Sequence, residues 1–207
     1  MSLARRERHA LVETMTEVGP AAPTLCGTWT AHDLAAHLVV RERRPDASIG
    51  IVFRPMSGYL EAKQTQIAQR PFAELLELVR TGPPWWSPLR PVDAMVNLSE
   101  MFVHHEDVRR AEPGWEPRQL AERDEDRLWT ALRTVARAAY RKSPVPVVLA
   151  SLRGAEITAH RGDGDAVTLT GTPSELLLHA FGRDEVRIAT TGSDADVRAV
   201  LATDRSV

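Results

Sequence analysis

The sequence predicts a mainly α protein that ends in a small α+β tail. Three observations carry that expectation. Up to about residue 142 the apolar residues recur at helical spacing. After Pro144 short β-prone runs alternate with glycine turns. No internal repeat or low-complexity tract interrupts either pattern. The expected division is a helical bundle over residues 1–142 and a small α+β domain over 143–207.

The first helix is expected from Leu3 to Val18, with Leu11, Met15 and Val18 on one face, ended by Gly19, Pro20 and Pro23. A loop carrying Cys26, Gly27 and Trp29 leads to Thr30 and Asp33, a capping box that starts a helix from Ala31 to about Arg44. Trp29 before the cap and Leu34 after it are placed for a hydrophobic staple. The run Arg41–Arg44 reads as a solvated helix end near the negative pole of the dipole. Residues 57–81 are helical in pattern and interrupted at Pro71, which suits a first helical position. Trp85, Trp86, Pro88 and Pro91 predict a rigid aromatic loop. A long helix follows from about Val92 to Ala111, and another from Gln119 to Arg141 with Leu128, Leu132, Val135 and Ala139 as its stripe. In the tail, Val145–Ser151, Glu156–His160, Ala166–Thr170 and Val186–Thr190 read as strands. Helices are expected at Thr172–Phe181, with Pro173 at its first position, and at Ser193–Ala202.

Composition narrows the function classes. Of 207 residues, 43% are hydrophobic and 26% charged, which suits an ordinary globular core. The formal net charge of -2 offers no basic surplus for phosphate neutralisation, so nucleic acid is not an expected partner. Cys26 is the one cysteine, which excludes an internal disulfide. The N-terminus is charged and amphipathic, not signal-like, and no apolar stretch is long enough to span a bilayer; a cytoplasmic protein without membrane contact is expected.

The helix around residue 100 carries the chemistry. At about 100° per residue, Asn97, Glu100, His104 and Asp107 share one stripe. Val92, Val96 and Val103 flank it on one side, and Met101, Leu98 and Phe102 on the other. Ser99, Glu106 and Arg110 are expected to look outward. An ionised carboxylate in an apolar surround is costly unless compensated, and a divalent cation compensates it. Glu and His at i and i+4 offer two ligands one turn apart. Among seven histidines His37 is the best-placed third donor, because it lies beside Leu34, Leu38 and Val40 on the face that turns inward. Two imidazoles and a carboxylate suit zinc first, with nickel, iron and manganese also compatible. The spacing alone is equally served by a buried Glu–His hydrogen bond without metal.

Three segments carry a resemblance. LCGTWTAHDLAAHL, with His37 next to last, SEMFVHHEDVRR, with Glu100, His104 and Asp107, and GTPSELLLHAFGR, ending at Arg183, occur in that order. Together they resemble the DinB-like mycothiol-dependent maleylpyruvate isomerase family, in an actinobacterial metal-binding branch of it. The resemblance implies a DinB-like four-helix bundle followed by a small α+β domain. It implies one metal, usually zinc, on the positions His37, Glu100 and His104. It also implies mycothiol or a similar small thiol as cofactor. Arg183 at the Gly-Arg position, and Arg41 one turn from His37, are the residues that would bind an anionic group.

The function expected from this is a metal-dependent thiol transferase or isomerase acting on a small electrophilic substrate, since a metal-bound thiol is supplied as thiolate at neutral pH. A non-catalytic metal sensor or carrier, with a closed shell that includes Cys26, is a second reading. A metal-dependent hydrolase with Asp107 as base is a third. Asp107 and Asn97 are expected either to orient ligand histidines or to be ordinary helix polarity. His105, about 100° from His104, is expected to pack or hydrogen-bond, and Cys26 to be a small packing residue.

Overall fold

The computed structural model describes residues 1–43, 64–83 and 93–205, the side chains of residues 93–96 excepted. The expected helix before residue 64, Arg44 and the aromatic loop with Trp85, Trp86, Pro88 and Pro91 lie outside the described residues. The chain divides into two compact units, Met1–Trp115 and Glu116–Val207.

The first unit is built from helices α1 (Leu3–Val18), α2 (Ala31–Arg43), α3 (Phe72–Thr81) and α4 (Asp93–Arg109). Ser2 caps α1, accepting from Arg5 N, and Gly19 ends it in a left-handed conformation at φ 85°. The capping box of α2 forms: Asp33 Oδ2 accepts from Thr30 N at 3.0 Å, and Thr30 Oγ1 accepts from Asp33 N at 3.3 Å. Pro71 sits one place earlier than expected, as the N-cap of α3 with extended backbone, and Phe72 opens the helix. Leu11, Val12 and Met15 of α1 meet Ala31, Leu34, Ala35 and Leu38 of α2, Leu75 and Val79 of α3, and Met101 and Val108 of α4. Each fully buried leucine here contributes about 1.5–3 kcal/mol. Val18 departs from the expected face; it is 47% exposed, because α1 runs past the end of the core at its last turn.

The charge run that ends α2 is not a solvated helix end. Glu42 is buried in a bidentate pair with Arg8 of α1, whose Nη1 also donates to Val79 O of α3 at 2.8 Å. Arg43 donates to Leu78 O, Thr81 Oγ1 and Gly82 O. The guanidinium groups thus satisfy the open C-terminal carbonyls of α3, as a helix end requires.

The second unit holds α5 (Glu122–Ala139), β1 (Val147–Ser151), β2 (Glu156–His160), β3 (Val167–Gly171), α6 (Pro173–Ala180), β4 (Ala189–Thr191) and α7 (Asp194–Leu201). The sheet order is β2-β1-β3-β4. β1 pairs antiparallel with β2 and parallel with β3, Val147 opposite Val167 and Leu149 opposite Leu169, and β3 pairs antiparallel with β4. Val147, Leu149, Val167 and Leu169 alternate inward, as period-two strands should. Helix α5 packs on α6 and β2, whereas α6 and α7 lie against β3.

In the structure α5 therefore belongs to the compact unit of the sheet, on the far side of the division from α1–α4; the expected boundary after residue 142 had grouped it with them. A pair of polar contacts fixes it there. Glu125 accepts from Ser174 N at 2.9 Å and from Ser174 Oγ at 2.8 Å, and so closes the first turn of α6 beside the N-cap Thr172. Among the described residues no helix is long and apolar enough to cross a membrane.

Candidate metal centre

The loop from Thr24 to Trp29 is anchored to α4 by one backbone hydrogen bond and closed on itself by a side-chain one. Leu25 N donates to Asp107 O at 3.1 Å, and Thr24 Oγ1 donates to Trp29 O at 2.8 Å. Gly27 turns the chain at φ 65°, a conformation in which a side chain is strained. Cys26, whose N–H is taken by Thr24 Oγ1, is thereby presented to α4.

His104 occupies the centre of the site with both ring nitrogens engaged. Its Nδ1 lies 2.9 Å from Asp107 Oδ2, one turn on, and its Nε2 lies 3.3 Å from Glu100 Oε2, one turn back. The His37 ring of α2 stands edge-on to the His104 ring, with centroids 5.7 Å apart, and Trp29 also packs on the His37 ring, with centroids 5.0 Å apart. The helices thus bring His37, Glu100 and His104 to one place. Their donor atoms are not drawn into a ligand shell: among the described residues the three-donor group with all atoms within 4.8 Å of one another is Cys26, His104 and Asp107.

The electrostatics follow from burial and neighbours. Burial, and after it the charge of His104, holds His37 down to about pKa 4, so its ring is neutral at physiological pH. Burial opposes ionisation of Glu100, but the hydrogen bond and charge of His104 and the charge of Arg41 outweigh it and bring the carboxyl to about 2. His104 is also penalised by burial, yet Asp107, Cys26 and Glu100 raise it well above the usual histidine range. A neutral imidazole, an ionised carboxylate and a second imidazole held by a carboxylate form a donor set that fits a divalent cation.

The other singled-out residues fall as follows. Arg41 reaches Glu100 Oε1 at 3.0 Å and Asn97 Oδ1 at 3.3 Å, so Asn97 orients an arginine and not a histidine. His105 turns toward α1, with Nδ1 3.0 Å from Glu7 and Nε2 3.0 Å from Thr14, as its 100° offset from His104 requires. Glu106 and Arg110, expected to face outward, are buried as an ion pair at 2.6 Å, with Arg110 stacked 4.5 Å over Trp115. Ser99 is buried as well. The expected packing role of Cys26 understates it: the thiol donates to Asp107 Oδ2 at 3.0 Å and lies 3.8 Å from His104 Nδ1. That contact spans 81 residues of sequence and has no local signal. Asp107 accepts from both neighbours, which leaves it poorly suited to act as a hydrolytic base. Arg183, in the second unit, donates to Phe181 O and lines a cleft of about 540 Å³ with Asp184, Asp204 and Arg205. A cleft of about 460 Å³ is lined by Trp29, Asp33, Gln64, Thr65 and Ala68, and Trp29 in turn packs on the His37 ring.

The fold is that of a DinB-like helical bundle, followed in the chain by a small unit with a four-stranded sheet. Two solved structures share that fold. The crystal structure of the mycothiol-dependent maleylpyruvate isomerase matches with a TM-score of 0.63 at 13% identity, over 91% of this chain and 90% of that one. A histidine-to-alanine variant of that enzyme matches with a TM-score of 0.64, at the same identity and coverage. No protein-family description matches the sequence, and no curated protein does.

Proposed function

We propose that the chain is a metal-dependent thiol transferase or isomerase, and that His37, Glu100 and His104 hold its divalent ion, zinc by the chemistry of the donors. The observation that carries the reading is the relay Asp107–His104–Glu100 beside a neutral His37. Asp107 takes the Nδ1 side of His104 and leaves Nε2 facing Glu100, with the His37 ring edge-on to the His104 ring. A carboxylate behind a histidine in this way is the usual support of a metal-ligating imidazole. The likeness to a mycothiol-dependent isomerase points to a small thiol as co-substrate.

Bound there, the ion would lower the pKa of a thiol from about 8.5 and supply thiolate at neutral pH. The residues do the rest. Asp107 fixes the tautomer and rotation of His104. Trp29 packs on the ring of His37 and restricts its plane. Arg41 balances the charge of Glu100 and keeps a cation where an anionic thiol or substrate group would arrive. The cleft bounded by Trp29 and Gln64 has the size of a small-molecule site. Arg183 is the second residue suited to an anionic group, in the cleft of the second unit.

Cobalt-substituted protein tests this. Addition of a cysteine-derived thiol should produce a thiolate-to-cobalt charge-transfer band that saturates, and the band should weaken in Arg41→Ala. A cobalt spectrum indifferent to thiol at millimolar concentration contradicts the reading.

A further inference from the structure

The two nitrogens of His104 face two different sets of donors. Nε2 faces Glu100; Nδ1 faces Asp107 and Cys26. We propose that Cys26, His104 and Asp107 form a second cation site, one that takes a thiophilic divalent ion of the zinc and cadmium type. The site is distinct from the one in the reading above, although it shares the ligand His104 and turns the carboxylate that supports it, Asp107, into a ligand.

The geometry is close to a ligand shell. A tetrahedral ion with bonds of about 2.0–2.3 Å sets its donors about 3.3–3.6 Å apart. Here Sγ and Nδ1 are 3.8 Å apart, Sγ and Oδ2 are 3.0 Å apart, and Nδ1 and Oδ2 are 2.9 Å apart. Movement of the carboxylate by about half an ångström opens the group to those separations. The donors are held for it: Asp107 is fully buried, its own carbonyl anchors Leu25, and Thr24 fixes the backbone of Cys26. A buried carboxylate shared between a thiol and an imidazole sits where two protons are replaceable by one cation. The thiol proton passes to solvent as the S–M bond forms, and Nδ1 gives up the hydrogen it shares with Asp107. Thiolate with imidazole favours zinc and its heavier, softer congener over magnesium or calcium. An ion on Nδ1 also removes the hydrogen bond that aims Nε2 at Glu100, so the two sites compete through one ring.

Cadmium is the direct probe, because the chain has one cysteine and any thiolate-to-cadmium absorption belongs to Cys26. Titration of the full metal-free chain should give an ultraviolet charge-transfer band saturating at one ion per chain. His37→Ala and Glu100→Gln should keep the band, which separates this site from the one proposed above. Cys26→Ser should abolish it, and His104→Ala and Asp107→Asn should weaken apparent affinity by about tenfold or more. Cadmium should also protect Cys26 from alkylation in the native chain and in His37→Ala alike, a readout that does not depend on the folding of the Asp107 and His104 variants. Absence of the band in the native chain overturns the site. Loss of band and protection in His37→Ala or Glu100→Gln overturns it too, and makes Cys26 a ligand of the other centre.

Discussion

Asp107 is the residue on which the site turns. It is fully buried, accepts from His104 and from Cys26, and its backbone oxygen anchors the loop that carries Cys26. Asp107→Asn keeps the shape but not the charge that supports His104. The variant should lose about ten- to a hundredfold in metal affinity, measured by competition with a chelator; unchanged affinity would show that Asp107 supports nothing. A second residue acts in the other unit. His179 is buried with Nδ1 2.5 Å from the Tyr140 hydroxyl, Nε2 has no hydrogen-bond partner among the described residues, and burial together with the charge of Arg205 holds its pKa down to about 3. Its folded value lies below the ordinary 6.5, so the stability it contributes is complete above pH 6.5 and is lost as pH falls from there toward 3. At pH 5 the loss is about 2 kcal/mol, and His179→Gln should flatten the urea-midpoint profile between pH 7 and 5. An equally steep profile in the variant would place the acid sensitivity elsewhere. At this scale the sequence was informative where partners are near. The step from His104 to Asp107 is visible as i to i+3, whereas the thiol of Cys26 and the unpartnered nitrogen of His179 depend on chain segments far apart.

Between elements, buried charge does the joining. Arg8 of α1 binds Glu42 of α2 and the carbonyl of Val79 in α3, all out of contact with water. Glu42→Ala leaves that guanidinium buried beside one carbonyl, and should destabilise the chain by about 3–5 kcal/mol in chemical denaturation. An effect below about 1 kcal/mol would mean that the pair is solvated in solution. Helix positions were legible from periodicity and caps, because Thr30, Gly19 and Pro173 act locally. The burial of Glu42, Glu106 and Arg110 was not. A helical wheel shows which residues share a face, but a charged face is buried only when a residue outside its helix covers it, as Arg8 of α1 does for Glu42 and Trp115 beyond the end of α4 does for Arg110. The assignment of α5 was obscured for the same reason: its stripe is amphipathic in either unit, and the contacts of Glu125 with Ser174 decide between them.

For the whole molecule, the order of a helical bundle followed by a mixed sheet was plain in the sequence, and two solved structures share the fold. A bound ion would stabilise the folded chain by mass action, by about 2.7 kcal/mol at a hundredfold excess over the dissociation constant. The direct test of the central claim is metal content by mass spectrometry, on protein made without a histidine tag, for Cys26→Ser, which lacks the second site, and for His37→Ala, Glu100→Ala and His104→Ala made in that background. The account predicts close to one divalent ion per Cys26→Ser chain and its loss in all three further variants. A Cys26→Ser chain without stoichiometric metal after reconstitution, or full occupancy in any of the three further variants, would contradict it.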